Sequence, residues 1–415
     1  MPNLSQAHRL RPNHYHCDMA SRYHQIACYA LFCMIPAIIY SKALITICYV
    51  TIVFMAILVQ AQKSRFSFDR HLAALSLIGF SIVLSGINSD NIGQWWHHTV
   101  IKLPFLMIPF TFMILKPISK DVIRNMHLIL VLVLSISALP SLLDIIQHHQ
   151  EILDRISRGQ PIDTPIEHVK YSMFMAYGVI SALLWLVHFR SDLSAPQVKI
   201  FWIGGLFLFI VMHLLAVRTG LVIVYASLMI LGLHAAWIKK ISGKTLSGAL
   251  VAAVVGIFLL AQTPTIKTKL GYMFYDWEQY AIDGGINYSD SERLFSLKTG
   301  WQLFSDNLFL GTGIGDLYDS CHEVYRQQSR SAVVNYPHSQ YIYQLAGTGV
   351  VGFVLFIGGF LYPLTRRHNK YFYLLVALYI NYALSFVVEN SFERSMSVAF
   401  FLTFAAMLLS STKED

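Results

Sequence analysis

Runs of about twenty apolar residues recur along the whole chain, and each has the length that a bilayer demands of a spanning helix. Twelve are legible, at approximately 23–40, 43–62, 71–87, 98–115, 123–145, 171–189, 199–217, 219–238, 246–262, 338–362, 371–388 and 395–411. In hydrocarbon such a segment must satisfy its own backbone polar groups, which a helix does. The expected fold is therefore an all-α polytopic integral membrane protein of about 12 transmembrane helices, with residues 1–415 forming one transmembrane domain. Composition agrees: 13% of residues are charged, against roughly 25% in soluble domains.

Charge distribution sets the expected orientation. Lys and Arg gather in alternate connections, at Arg9, Arg11 and Arg22, at Lys63, Arg65 and Arg70, at Lys116, Lys120 and Arg124, at Lys239, Lys240 and Lys244, and at Arg366, Arg367 and Lys370. On the other side Lys42 stands alone in the first turn, and 88–97 has none. The positive-inside rule then puts both termini in the cytoplasm. The net charge of +8 orients helices and does not mark a nucleic-acid partner, because no basic run interleaves with aromatics. The five cysteines form no CxxC pair, so neither a disulfide framework nor a zinc site is expected. The first apolar run reads as a retained helix, since no small-residue cleavage site follows it.

Residues 263–337 are the only long stretch that a bilayer could not hold. They are expected to form a mainly helical loop on the outer side, between the ninth and tenth helices. The loop has six basic against nine acidic residues, so any anion site in it depends on particular side chains. Ser289-Asp-Ser-Glu292 is a capping-box pattern opening a helix to about Phe304, with Leu294, Leu297, Trp301 and Phe304 on one face. Arg293 shares a face with Leu297, and its guanidinium fork suits phosphate oxygens; the plainer reading is a surface pair with Glu292 or Asp290. Arg218 ends an apolar run, where a charge is either functional or snorkels to headgroups. The same choice applies to Lys102.

His338 follows Pro337, a residue favoured at the first position of a helix. The helix dipole there disfavours imidazolium, and a neutral imidazole is what a general base requires; the plainer reading is an interfacial histidine. Gly311-x-Gly-x-Gly315 lacks the context of a nucleotide fingerprint and reads as a turn for close backbone approach. Gly349 and Gly352 place small residues on one helix face, which favours close packing. Glu389, Glu393 and Arg394 either pair with one another or wall the cavity. Ile152, Leu153 and Ile156 recur at helical spacing and suggest a short helix on the membrane surface. Trp95 and Trp96 have the composition of an interfacial belt.

Taken in order, these features resemble the O-antigen ligases, within the superfamily of O-antigen polymerases and bacterial O-oligosaccharyltransferases. Arg293-Leu-Phe-Ser-Leu297 is similar to the family's Arg-x-x-x-Leu element in its large periplasmic loop. His338-Ser339, nine residues, then Gly349-Val-Val-Gly352 match its His-[Asn/Ser/Gln]-x9-Gly-x-x-Gly pattern. Arg218 matches a further arginine at an earlier periplasmic helix end, with Val217 where many members have serine. The resemblance implies an inverting, metal-independent glycosyltransferase in the bacterial inner membrane, with its active site on the periplasmic face. The donor would be a glycan on undecaprenyl diphosphate, and the acceptor a sugar hydroxyl of lipid A-core. His338 would be the catalytic base, Arg218 and Arg293 would bind diphosphate, and Lys102 and Glu389 are further site candidates; no cofactor is implied. The nearest alternatives are an O-antigen or exopolysaccharide polymerase and a protein O-oligosaccharyltransferase, and outside the class a lipid-linked glycan transporter. The last would ordinarily show internal repeats and broken helices at the midplane, and neither is evident.

Overall fold

The computed structural model describes residues 14–62, 66–237, 262, 264–283, 289–328 and 334–411. Among them the protein is helical, with one isolated bridge between Ile118 and Ser411. We number the helices α1 (His14–Tyr40), α2 (Lys42–Ala61), α3 (Arg70–Ala74), α4 (Ser76–Leu84), α5 (Ile92–Leu115), α6 (Lys120–Gln147), α7 (His149–Ser157), α8 (His168–His188), α9 (Ala195–Leu215), α10 (Arg218–Trp237), α11 (Pro264–Asp283), α12 (Ser289–Asp306), α13 (Leu317–Gln327), α14 (Gln340–Leu361), α15 (Phe372–Val388) and α16 (Ser395–Leu409).

Nine helical stretches among the described residues are long and apolar enough to cross a membrane, and α15 and α16 are shorter apolar helices. This is the architecture of a multi-pass membrane protein. The expected span 246–262 lies outside the described residues except for its last position. The described residues that flank it lie at opposite ends of the bundle: His234 is beside Tyr373, and Lys269 is beside Arg218.

Side-chain caps start the helices where the apolar runs begin. Ser41 accepts from the Leu44 N–H, Asp69 from the His71 N–H, and Ser119 from the Val122 N–H. Asp69 also gathers the basic connections at one end of the bundle, binding Lys116 at 3.2 Å and Arg366 at 2.8 Å. At that end Lys120 binds Asp192. The core between the helices is aromatic, with Phe174 stacked on Phe400 and Phe360 on Phe401.

The opposite end carries the long connection, and several expectations change there. α7 forms, but Ile152 and Ile156 are buried in the protein core and do not lie on lipid. The buried stripe of α12 is Phe295, Ser296, Thr299, Gly300 and Leu303, whereas Leu294 and Trp301 are exposed. Asp276 of α11 caps α12, accepting from the Asp290 and Ser291 N–H groups at 2.8 and 3.2 Å; the Ser289 side chain of the expected capping box lies outside the described residues. Pro337 is not the first residue of α14, which begins three positions later at Gln340.

The glycine pattern also works differently from a packing stripe. Gly349 has φ +61° and interrupts α14. Freed N–H groups of Val350 and Val351 donate to the Leu308 and Phe309 carbonyls. A Cβ at Gly349 would lie 2.3 Å from the Phe309 carbonyl, so backbone meets backbone at this point. The Gly311–Gly315 turn docks on the α4–α5 connection as well. The Asp316 carboxylate accepts from the Asp90 and Asn91 N–H groups at 2.7 and 2.8 Å, and Ser89 accepts from the Gly315 N–H.

Candidate active site

Four helix ends converge on one cavity of about 420 Å³. α10 contributes Arg218, α12 contributes Arg293 and Leu297, and the segment before α14 contributes His338. Val222, Ile223, Leu384 and Val387 make much of the remaining wall apolar. The sequence-predicted base and both sequence-predicted diphosphate ligands thus face one space. Lys102 and Glu389 do not line it.

Arg218 stands at the start of α10, after a two-residue connection in which Ala216 adopts φ +49°. Gly220 brings that start against α8, where a Cβ would lie 2.6 Å from the Ser172 Cβ. The guanidinium is held by a bidentate pair, two 2.8 Å bonds to the Asp290 carboxylate. Asp276, by capping α12, fixes the backbone of Asp290 in turn. The fork of Arg218 is therefore oriented in advance, and part of it stays exposed.

Arg293 lies one turn along α12, and among the described residues it pairs with no carboxylate. Of the two partners considered for it, Glu292 and Asp290, no ion pair with Glu292 forms among the described residues and Asp290 is committed to Arg218. The acidity of the loop misleads on this point, because several of its carboxylates are used structurally. Asp276 caps α12, Asp316 and Asp319 bind the α4–α5 connection, and Glu323 pairs with Arg326.

His338 is fixed through its backbone. Its N–H donates to Ser296 Oγ at 3.2 Å. Ser339 donates to the Phe386 carbonyl at 2.8 Å, and the Gln340 N–H donates to the Glu389 carbonyl. Among the described residues the buried imidazole Nδ1 has no hydrogen-bond partner. Burial depresses the pKa of His338 below the usual 6.5, Glu389 opposes the shift and Arg293 adds to it. Desolvation thus keeps the imidazole neutral near pH 7, in place of the helix dipole expected from the sequence.

Glu389 sits behind His338, 4% exposed, with its carboxylate 3.4 Å from Lys170 Nζ. Lys170 also binds Glu167 at 2.8 Å, and Arg394 reaches Glu167. Glu389, Glu393 and Arg394 therefore each pair elsewhere and not with one another. Lys102 does not snorkel. It is 2% exposed and paired with Glu393, which also binds His98 at 3.1 Å and Gln340 at 3.2 Å.

Residues 203–357 match the family model described as O-Antigen ligase. That match supports membership of the O-antigen ligase family. Members are glycosyltransferase-type enzymes that act on lipid-linked glycans. No curated protein matches the sequence. The matched segment contains Arg218, Arg293, His338, Gly349 and Gly352, and it leaves out Lys102 and Glu389.

Sequence reasoning missed Asp290 as the orienting partner of Arg218. It also missed Lys269 and His168, which share a second chamber with both arginines. One signal was available: Glu167-His168-Val-Lys170 puts three ionisable residues at the start of an apolar run. Lys269 carries no such signal, because its neighbours come from three other helices.

Proposed function

We propose that the protein transfers a glycan from undecaprenyl diphosphate to a sugar hydroxyl of lipid A-core. The observation that carries this reading is the single cavity with an apolar wall, two guanidiniums and a neutral imidazole. An isoprenoid tail suits the wall formed by Val222, Ile223, Leu384 and Val387. Its diphosphate then falls to Arg218 and Arg293, whose planar forks match phosphate oxygens.

In this reading His338 accepts the proton of the acceptor hydroxyl. The hydroxyl oxygen attacks the anomeric carbon from the face opposite the diphosphate, so the configuration inverts. The bond from that carbon to the diphosphate oxygen breaks, and its electron pair leaves with undecaprenyl diphosphate. Arg218 and Arg293 stabilise the charge that develops on the leaving group. They supply in fixed form the compensation that a divalent cation gives in other phosphate sites, so we propose that no metal is required. Ser296 and Ser339 hold the histidine segment in place. The convergence of basic connections at the far end supports a cytoplasmic assignment for that end. The cavity would then open at the periplasmic face of the inner membrane.

The test is product analysis with the purified full chain in liposomes, given glycan-charged undecaprenyl diphosphate and lipid A-core. Glycan on lipid A-core, formed equally well with EDTA present, is the expected result. Elongated lipid-linked chains with no transfer to lipid A-core would make the protein a polymerase instead.

A further inference from the structure

Arg218, Thr219 and Arg293 also line a second, smaller chamber of about 140 Å³. There the two arginines meet His168 of α8 and Lys269 of α11. The connection after α7 contributes Gly159, Gln160 and Pro161, none of them ionisable. Four obligate or potential cations thus share one small space.

Three carboxylates near them are already engaged. Asp290 holds Arg218, Asp276 is occupied by the N-terminus of α12, and Glu167 is bound to Lys170. Among the described residues neither Arg293 nor Lys269 pairs with a carboxylate. Burial, with the charges of Arg218 and Arg293, pushes Lys269 down to about 8. Gathered like charges are costly unless an anion offsets them. An arginine fork and a lysine are also complementary ligands: the first is planar and directional, the second a compact charge with rotatable donors.

We infer that Lys269 is the third cation of an oxyanion site formed with Arg218 and Arg293, and that its ligand is a phosphate group of the lipid-linked diphosphate. This rests on the reading of the adjoining cavity as the donor site. The chamber borders that cavity at both arginines, so a diphosphate lying across them would present a phosphate to Lys269. A bound anion favours the charged lysine. Above pH 8 binding therefore draws a proton from solvent onto Nζ, and affinity falls as pH rises. The charged groups facing Lys269 are Arg218 of α10 and Arg293 of α12, with His168 of α8 as a further titratable neighbour. Asp290 acts through Arg218, and Glu167 and Lys170 act through His168.

The experiment is binding of glycan-free undecaprenyl diphosphate and, separately, of inorganic pyrophosphate to the full chain in nanodiscs. Wild type, Lys269→Gln and Lys269→Arg are compared at pH 7 and pH 9. Wild-type affinity for the lipid should drop about 10-fold between the two pH values, as expected for a group titrating near 8. Lys269→Gln should weaken lipid binding on the order of 10-fold at pH 7, the worth of one charge-assisted hydrogen bond, and should lose the pH dependence. Lys269→Arg should bind as wild type does at pH 7 and show no drop at pH 9, since a guanidinium stays charged.

Unchanged lipid affinity in Lys269→Gln, or a persistent pH drop in Lys269→Arg, overturns the inference. So does a loss confined to pyrophosphate, which would make this a site for free anions. Should Lys269→Gln be neutral while His338→Ala abolishes transfer, the donor reading stands and this inference fails. Should the wild type transfer no glycan yet bind the lipid through Lys269, the inference stands and the transfer reading fails.

Discussion

Two groups of ionisable side chains occupy the same end of the bundle and are built in opposite ways. Around Glu393 every charge meets its opposite: Lys102 and His98 hold the carboxylate, and Gln340 and Tyr343 complete the network. Burial opposes ionisation of Glu393, yet Lys102 and His98 keep its carboxyl well below the usual range. Around Arg293 the balance is left open. Among the described residues only Arg218 of this cluster pairs with a carboxylate, and His338 Nδ1 has no partner. A saturated network fixes α5 to the α15–α16 connection and has nothing left to offer a ligand. An open cluster keeps its charge for something that arrives. Burial of charge alone does not separate structure from function in a membrane protein; the satisfaction of that charge does.

The contrast can be broken at either cluster. The largest effect we expect is at His338: His338→Ala should lower single-turnover glycan transfer about 100- to 10,000-fold, the usual worth of a general base, with donor binding retained. In the wild type the pKa of His338 lies below 6.5, and the base must be neutral to act. The rate should therefore persist as pH falls through 6.5 and decline only below it. A rate that halves at or above that pH would contradict this.

Next is Lys102→Met, which strands Glu393 in the interior. Removing one partner of a buried pair costs about 3–5 kcal/mol, and a denaturation series would read it. Arg293→Lys keeps the charge and loses the fork. We expect transfer to fall by on the order of 100-fold, as when one preorganised donor is lost from a transition state. Gly349→Ala forces a side chain into a left-handed position against the Phe309 carbonyl. About 1–3 kcal/mol of strain should appear as lost stability. The smallest effect should come from Lys102→Met with Glu393→Met together. Exchanging a whole buried pair for apolar groups is often neutral, so the double variant should be more stable than Lys102→Met alone and should still transfer glycan.

The positions of the apolar helices among the described residues were legible because hydrocarbon imposes length and apolarity on each of them. Arg218 and His338 stood out at the ends of apolar runs, and Arg293 stood out as a guanidinium in the first turn of a helix in the long polar loop; the structure brings the three to one cavity. The face of α12 was not. Hydrophobic periodicity marks the core only where the solvent is water, and near lipid the pattern can reverse. Leu294 and Trp301 are exposed, while Thr299 is buried and Ser296 and Gly300 pack inward against the Pro337–His338 segment. The break at Gly349 was illegible for a related reason. Glycine in a membrane helix serves close helix contact or a backbone turn equally well, and only the carbonyls of Leu308 and Phe309 decide between them. Lys102 looked interfacial because its partner Glu393 is nearly three hundred residues away. Lys269 was invisible because its significance lies in which charges surround it.

Ligand-induced stabilisation tests most directly whether the open cluster is the binding site. The unfolding midpoint of the full chain would be measured with and without undecaprenyl diphosphate, because a ligand that binds only the folded state raises it. We expect the midpoint to rise in the wild type and in the Lys102→Met, Glu393→Met variant. We expect no rise when Arg218→Gln and Arg293→Gln are combined. An equal rise in all three proteins would place the lipid diphosphate elsewhere and contradict the assignment of the cavity.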